Sequence, residues 1–238
     1  MDVSEDETKD WSASQLYSEA HDALKRSDYE QAVKFFEILE ARYPFGRYAE
    51  QALLEGAYAS YKYDEPDSAI ASLDRFIKTY PTSPNLDYAY YLKGLVNFNR
   101  GLGLVERYLP TDISQRDAGA MYTSFQDFAE LVRRFPNSRY SEDARLRMAY
   151  LRNNLAQYEV HVANYYMRRG AFVAAVGRAK YVVEHYPQAP AMPEALGIMA
   201  KAYKIMKLDD LSADALRVLE TNYPGNSNIA DVRETVVK

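Results

Sequence analysis

The chain has 238 residues, 47% of them hydrophobic and 26% charged, with no cysteine and a formal charge of -5, enough for one large globular domain or two small ones. The lack of cysteine excludes disulfides, thiolate nucleophiles and Cys-based zinc sites. No uninterrupted apolar run reaches the ~18 residues of a membrane span, and MDVSEDETKD at the start has no apolar stretch of the kind a signal peptide carries.

The charge is unevenly placed. Residues 133–180 hold ten Arg or Lys against Glu142, Asp143 and Glu159, a local charge of +7 that leaves -12 for the rest of the chain. Such a segment is either solvated helix surface or a docking face for an acidic partner. The 22 tyrosines carry large apolar rings with polar tips and suit half-buried surfaces or surfaces that meet a partner.

From the N-terminus, the first strong local signal is EARYPFGRY at residues 40–48. Its aromatic-proline pair, Tyr43-Pro44, recurs at Tyr80-Pro81, Phe135-Pro136, Tyr186-Pro187 and Tyr223-Pro224. Twelve residues before the five prolines stand Ala32, Ala69, Ser124, Ala175 and Ser212. Eight after the first four stand Ala52, Ala89, Ala144 and Ala195, and thirteen after stand Ala57, Gly94, Ala149 and Ala200. Leu39, Phe76, Leu131, Val182 and Leu219 lie five before, and Phe36, Leu73, Phe128, Ala179 and Leu216 eight before.

With the aromatic, these apolar positions trace one face of an amphipathic helix. Proline then ends that helix, because it has no N–H to donate and disfavours helical dihedrals in the residue before it. The small residues allow close approach of a neighbouring helix. Each unit is therefore a pair of antiparallel helices, and junction spacings of 37, 55, 51 and 37 residues describe a 37-residue unit with two expanded copies.

Small residues twelve apart, as in Ala20/Ala32, Ala57/Ala69 and Ala200/Ser212, match the tetratricopeptide pattern, whose usual period is about 34. The predicted fold class is all-α, an α-α superhelical solenoid of five tetratricopeptide-like helix pairs. The first expansion falls in RGLGLVERYLPTDISQR, residues 100–116, where two glycines and a proline predict a long loop. In the second, nothing breaks the helix between Ser141 and Arg169, and Ala163 follows Ala149 by fourteen. That spacing predicts one long helix that keeps both small positions in phase and projects residues 153–169 beyond an ordinary unit.

Chemistry-bearing motifs are few. His21, His161 and His185 have no second ligand at helical spacing, and GLG at 101–103 lacks the rest of a dinucleotide fingerprint. Asp64, Glu65 and Asp67 beside Pro66 read as capping residues. The expectation is of no enzyme, no catalytic residues, no cofactor and no metal. The acidic remainder of the chain also opposes nucleic-acid binding.

The first helices of tetratricopeptide pairs line an inner groove. Positions three before, one after and four after the small residue are Tyr17, His21 and Leu24; Leu54, Tyr58 and Tyr61; and Tyr91, Leu95 and Phe98. Such an aromatic, weakly charged channel suits an extended peptide with apolar side chains. Tyr150, Asn153, Lys201 and Lys204 make the later units more polar and basic. The expected organisation is a tail at 1–13, a peptide-binding half at 14–135, a docking half at 136–228 and a tail at 229–238.

Three stretches, RYPFGRY (42–48), DRFIKTYPTSPNLDYAYYLKGL (74–95) and the long run from FQDFAELVRRFPNSRY to VGRAK (125–180), resemble the BamD family. These are tetratricopeptide-repeat lipoproteins of the outer membrane β-barrel assembly machinery. The resemblance implies a scaffold on the periplasmic face of the outer membrane. Its N-terminal half would receive C-terminal segments of unfolded outer membrane proteins, and its C-terminal half would dock on the periplasmic domains of BamA, with BamC and BamE joining in many lineages.

By the same resemblance Arg178 faces BamA, and Arg168 and Arg169 stand with it in the basic segment. It further implies a lipidated N-terminal cysteine as anchor. With no cysteine present, the sequence reads as a soluble chain without signal and anchor. The other reading left open is a periplasmic repeat scaffold for peptidoglycan or cell-division upkeep, with the long helix serving homo-oligomerisation.

Overall fold

The helices begin and end where proline, small and capping residues place them. The structure, a computed structural model, describes residues 8–100 and 118–236. Its elements are α1 (Ala13–Lys25) and α2 (Tyr29–Arg42), α3 (Ala49–Lys62) and α4 (Pro66–Thr79), α5 (Leu86–Asn99) and α6 (Ala118–Arg134), α7 (Ser141–Arg168) and α8 (Phe172–His185), α9 (Met192–Ile205) and α10 (Asp209–Asn222), then α11 (Ser227–Glu234). The described residues form an all-α fold of helix pairs of the tetratricopeptide-like solenoid class. Apart from Arg100, the predicted loop at 100–116 lies outside the described residues.

Every aromatic-proline pair makes the same turn. The aromatic N–H donates to the carbonyl four residues back, as in Tyr43 to Leu39 and Phe135 to Leu131. Three residues on, an N–H returns to the aromatic carbonyl, from Gly46, Ser83, Ser138, Ala189 and Asn226, and three further on the pattern repeats from Ala49, Leu86, Ser141, Met192 and Ile229. Tyr43, Tyr80, Tyr186 and Tyr223 all sit outside the helical region, with φ between -121 and -134. Proline imposes that departure on the residue before it.

The turn inside a pair is of another kind. Ser27, Asp64, Gly170 and Lys207 are left-handed, with φ of 61, 68, 72 and 60 degrees. The next residue's N–H bonds back to the last helical turn: Asp28 to Ala23, Glu65 to Ser60, Ala171 to Tyr166 and Leu208 to Tyr203, the six-residue closure of a Schellman ending. Asp64 thus takes the left-handed turn position. Glu65 makes no side-chain capping bond, and Asp67 pairs with Arg100.

The small positions lie where helices touch. Ala20, Ala32, Ala57, Ala69, Ala163, Ala175 and Ala200 are fully buried. Two serines in this series add a hydrogen bond across their pair: Ser124 Oγ donates to the Gly94 carbonyl (3.0 Å) and Ser212 Oγ to the Ala200 carbonyl (2.9 Å). Such a bond satisfies the buried hydroxyl. At Gly94 a Cβ would stand 2.5 Å from the Phe128 ring, so only glycine fits.

Packing divides the described residues into two units, 8–100 with 123–145, and 118–122 with 146–236. The core of the first includes Leu16, Phe36, Leu39, Leu73, Phe76, Phe128 and Leu131. In the second, Ala156, Val160 and Ala163 meet Ala175, Ala179 and Val182, and Met192 and Leu196 meet Leu219.

The long helix forms as expected, with 28 residues, but does not keep both small positions packed. Ala163 is buried and Ala149 is exposed. The reason is the twelve-residue pairing rule: α8 brings Ala175 to Ala163, so the earlier small residue meets no partner on α8.

Both ends are more engaged than the expected tail boundaries, 1–13 and 229–238, suggest. Thr8 is buried, Trp11 packs on Phe35 with centroids 5.4 Å apart, and Arg42 donates to the Thr8 carbonyl. Val232 on α11 is buried against Ala200 and Ala215.

Gly94→Ala should lower stability by about 1–3 kcal/mol, because the Phe128 ring cannot yield without leaving its own packing. Gly177→Ala, mid-helix in α8 with nothing within 4 Å of the added methyl, should raise stability by about 0.5–1 kcal/mol. Urea denaturation of both variants checks the opposite signs.

Candidate functional site

In the first unit the exposed sides of α1, α3 and α5 form a cleft of about 320 Å³. Four residues expected in a groove meet there: His21 and Leu24 from α1, Leu54 and Tyr58 from α3. The helical periods put them together, because the small residue on each helix faces the partner and the positions three before, one after and four after it turn to the opening.

Tyr17 and His21 are joined by one carboxylate. The Tyr17 hydroxyl donates to Glu55 Oε1 at 2.8 Å, and His21 Nδ1 lies 2.9 Å from Glu55 Oε2. The Tyr17 ring stacks on Tyr48 at 4.7 Å and on His21 at 5.7 Å. Burial, then the bond to Glu55, pushes the Tyr17 hydroxyl well above the usual tyrosine range. It therefore stays a donor at any physiological pH.

Three further groove residues are held differently. Tyr58 and Tyr61 have ring centroids 6.5 Å apart, and Asn99 Nδ2 donates to the Tyr61 hydroxyl. Tyr91 stacks on Tyr140 at 4.7 Å and donates to Asp143 Oδ2 at 2.7 Å, while Phe98 meets Phe128 edge-on. Tyr91 and Phe98 thus serve as packing pillars beside the cleft, which their offsets alone could not distinguish from lining.

Sequence reasoning missed Glu50, Gln51, Glu55, Asn85 and Tyr88, which complete the lining. Gln51 and Tyr88 both lie seven residues after a junction proline, so extending the offset series by one more turn would have found them. The presence of Glu50 and Glu55 corrects the expectation of a weakly charged channel. Tyr88 is also pushed well above the usual range, first by burial and then by the tyrosines around it.

In the second unit Arg178 on α8 donates to Glu159 on α7 at 3.1 Å. The arginine side chain is 46% exposed and the glutamate 12%, so Glu159 orients a guanidinium that still faces solvent. This hydrogen bond raises the Arg178 pKa. Arg169 lies over the Tyr165 ring, 5.5 Å from its centroid, and Arg168 lines two clefts.

One of these, about 480 Å³, runs along α7 past Tyr158, His161 and Tyr165. The other, about 580 Å³, lies among α7, α9 and α11 and includes Glu194, Lys201 and Asp231. Tyr150 is exposed and Asn153 half-buried. Lys204 belongs to the fold more than to an open basic surface. Its Nζ donates to the carbonyls of Val232 (2.8 Å) and Arg233 (2.9 Å), capping the end of α11, where a cation also meets the negative end of the helix dipole.

Among the described residues, no group of three or more His, Asp or Glu is placed to hold a metal ion. No helix among them is long and apolar enough to cross a membrane.

The family model described as YfiO, outer membrane lipoprotein, matches residues 9–233. The chain is 48% identical to the outer membrane protein assembly factor BamD of Neisseria gonorrhoeae over 217 residues, 91% of this chain and 81% of that protein. It is 44% identical to the BamD of Xylella fastidiosa strain Temecula1 over 209 residues, 88% and 71% of the two chains. Among solved structures it is similar to the P58(IPK) TPR domain, with a TM-score of 0.45 and 16% identity over 92% of this chain and 63% of that one.

Replacing Lys204 by Met should fray α11 while leaving the rest of the unit intact. Loss of the two carbonyl bonds is worth about 1 kcal/mol, so amide exchange in residues 228–234 should quicken roughly fivefold.

Proposed function

The chain belongs to the BamD family of outer membrane protein assembly factors, and on that premise we propose that it is a non-enzymatic scaffold at the periplasmic face of the outer membrane. In this reading it receives unfolded outer membrane protein precursors through residues 14–135 and docks on the periplasmic domains of BamA through residues 136–228. BamC and BamE join the same assembly, and in the native form a lipid anchor, whose cysteine this sequence does not contain, holds it to the membrane. The other reading of the repeat pattern, a scaffold for peptidoglycan or cell-division upkeep, is not favoured by the family match.

The observation that carries the reading is the cleft where His21, Leu24, Leu54 and Tyr58 converge. An extended segment offers alternate side chains to such a surface, and tyrosines supply contact area at small entropic cost. Tyr17 and the Tyr61, Tyr91 and Phe98 rings hold the walls. They are fixed by hydrogen bonds and stacking, so little order has to be created on binding.

For docking, Arg178 is the anchor, with Arg168 and Arg169 beside it on the basic segment. Glu159 is only 12% exposed and points the guanidinium outward, and a pre-oriented Arg favours bidentate contact with a partner carboxylate.

Two measurements test the assignments. The double variant Tyr58→Ala/Tyr61→Ala should bind a peptide ending in an aromatic residue, taken from an outer membrane barrel, about tenfold more weakly; unchanged affinity would remove the cleft from peptide reception. Arg178→Asp should weaken binding to the periplasmic domains of BamA by at least about tenfold at moderate salt, with helicity unchanged by circular dichroism. Equal affinity would remove Arg178 from the docking surface.

A further inference from the structure

The charge of the first-unit cleft has a direction. Among the described residues its lining includes two carboxylates, Glu50 and Glu55, and no lysine or arginine. Both carboxylates are held in place. Ser83 Oγ donates to Glu50 Oε1 at 2.5 Å, and Tyr17 with His21 grips Glu55.

Neither carboxylate is saturated by these bonds. A carboxylate offers about four lone-pair sites, and these contacts use one on Glu50 and two on Glu55. Lys25, next to Leu24 in sequence, pairs with Asp22, and Arg47 lies over the Tyr48 ring. The two glutamates stand five residues apart on α3, about 7.5 Å along its axis, with the apolar Leu54 between them in sequence.

We propose that this cleft selects an extended segment that carries a Lys or Arg side chain next to its aromatic or aliphatic anchor, with Glu50 and Glu55 as the specificity-determining residues. The apolar anchor lies against Leu24, Leu54 and Tyr58, and the cation meets a carboxylate at the cleft wall. The inference rests on the reading of this cleft as the peptide site.

The test uses the whole chain and three C-terminally amidated decapeptides. They are identical except that the residue two places from a central Phe is Lys, Gln or Glu, and binding is followed by fluorescence anisotropy. The Lys peptide should bind about tenfold more tightly than the Glu peptide at low salt, with the Gln peptide between them. The ratio should fall towards one in Glu50→Gln/Glu55→Gln.

Because loss of the Tyr17 and His21 contacts could unfold the double variant, Glu50→Gln alone is measured alongside, each with its thermal melt. It should lower the ratio by about threefold. Equal binding of the three peptides, or a preference that survives in the folded Gln variants, would overturn the charge selection and leave the peptide site standing. If no peptide binds, or if Tyr58→Ala binds all three as well as the unaltered chain does, the cleft is not the peptide site and the selection falls with it.

Discussion

The architecture depends on one constraint, the inability of proline to donate a hydrogen bond. After each aromatic the helix has no next donor, and the aromatic itself is forced out of helical dihedrals. The chain answers with the same pair of reverse bonds at all five junctions. Because that geometry is repeated, the following helix leaves each junction in the same local way, and the small residues eight and thirteen positions on arrive at its packed face. The exception at thirteen is Ala149.

Close approach follows from those small residues, and its consequences are visible where it is tightest. Gly94 admits the Phe128 ring only because it has no Cβ, and the same approach brings Ser124 Oγ to the Gly94 carbonyl. Ser212 repeats the bond against Ala200. In α7 the rule explains a departure: α8 aligns with the second small residue, Ala163, and Ala149 stays in solvent. Within one continuous helix, Ala144, Leu151 and Ala163 are packed while Ala149 is left exposed.

The proposed function attaches to what this packing leaves over. In the first unit the sides of α1, α3 and α5 turned away from the core carry tyrosines and two oriented carboxylates, a surface that combines apolar area with a defined charge. In the second, Arg178, still partly exposed, is held by the largely buried Glu159, while Lys204 caps α11. Residues of the same chemical type thus end in different roles according to whether a backbone carbonyl or solvent lies in front of them.

Much of this was legible in the chain. Five aromatic-proline pairs, small residues at fixed offsets and apolar residues five and eight before each proline determine the helix pairs, their turns and the unbroken α7, because proline chemistry and helical period act locally. The same offsets brought His21, Leu24, Leu54 and Tyr58 to one side of the first unit. Tertiary structure alone decided which ring became a wall and which a pillar, since Tyr91 and Phe98 are claimed by Tyr140 and Phe128. It also decided that Glu50 and Glu55 charge the cleft, that Ala149 is exposed, and that Lys204 caps a helix. Each of these depends on a partner 28 or more residues away in sequence or on a side chain's final direction, which no local spacing encodes.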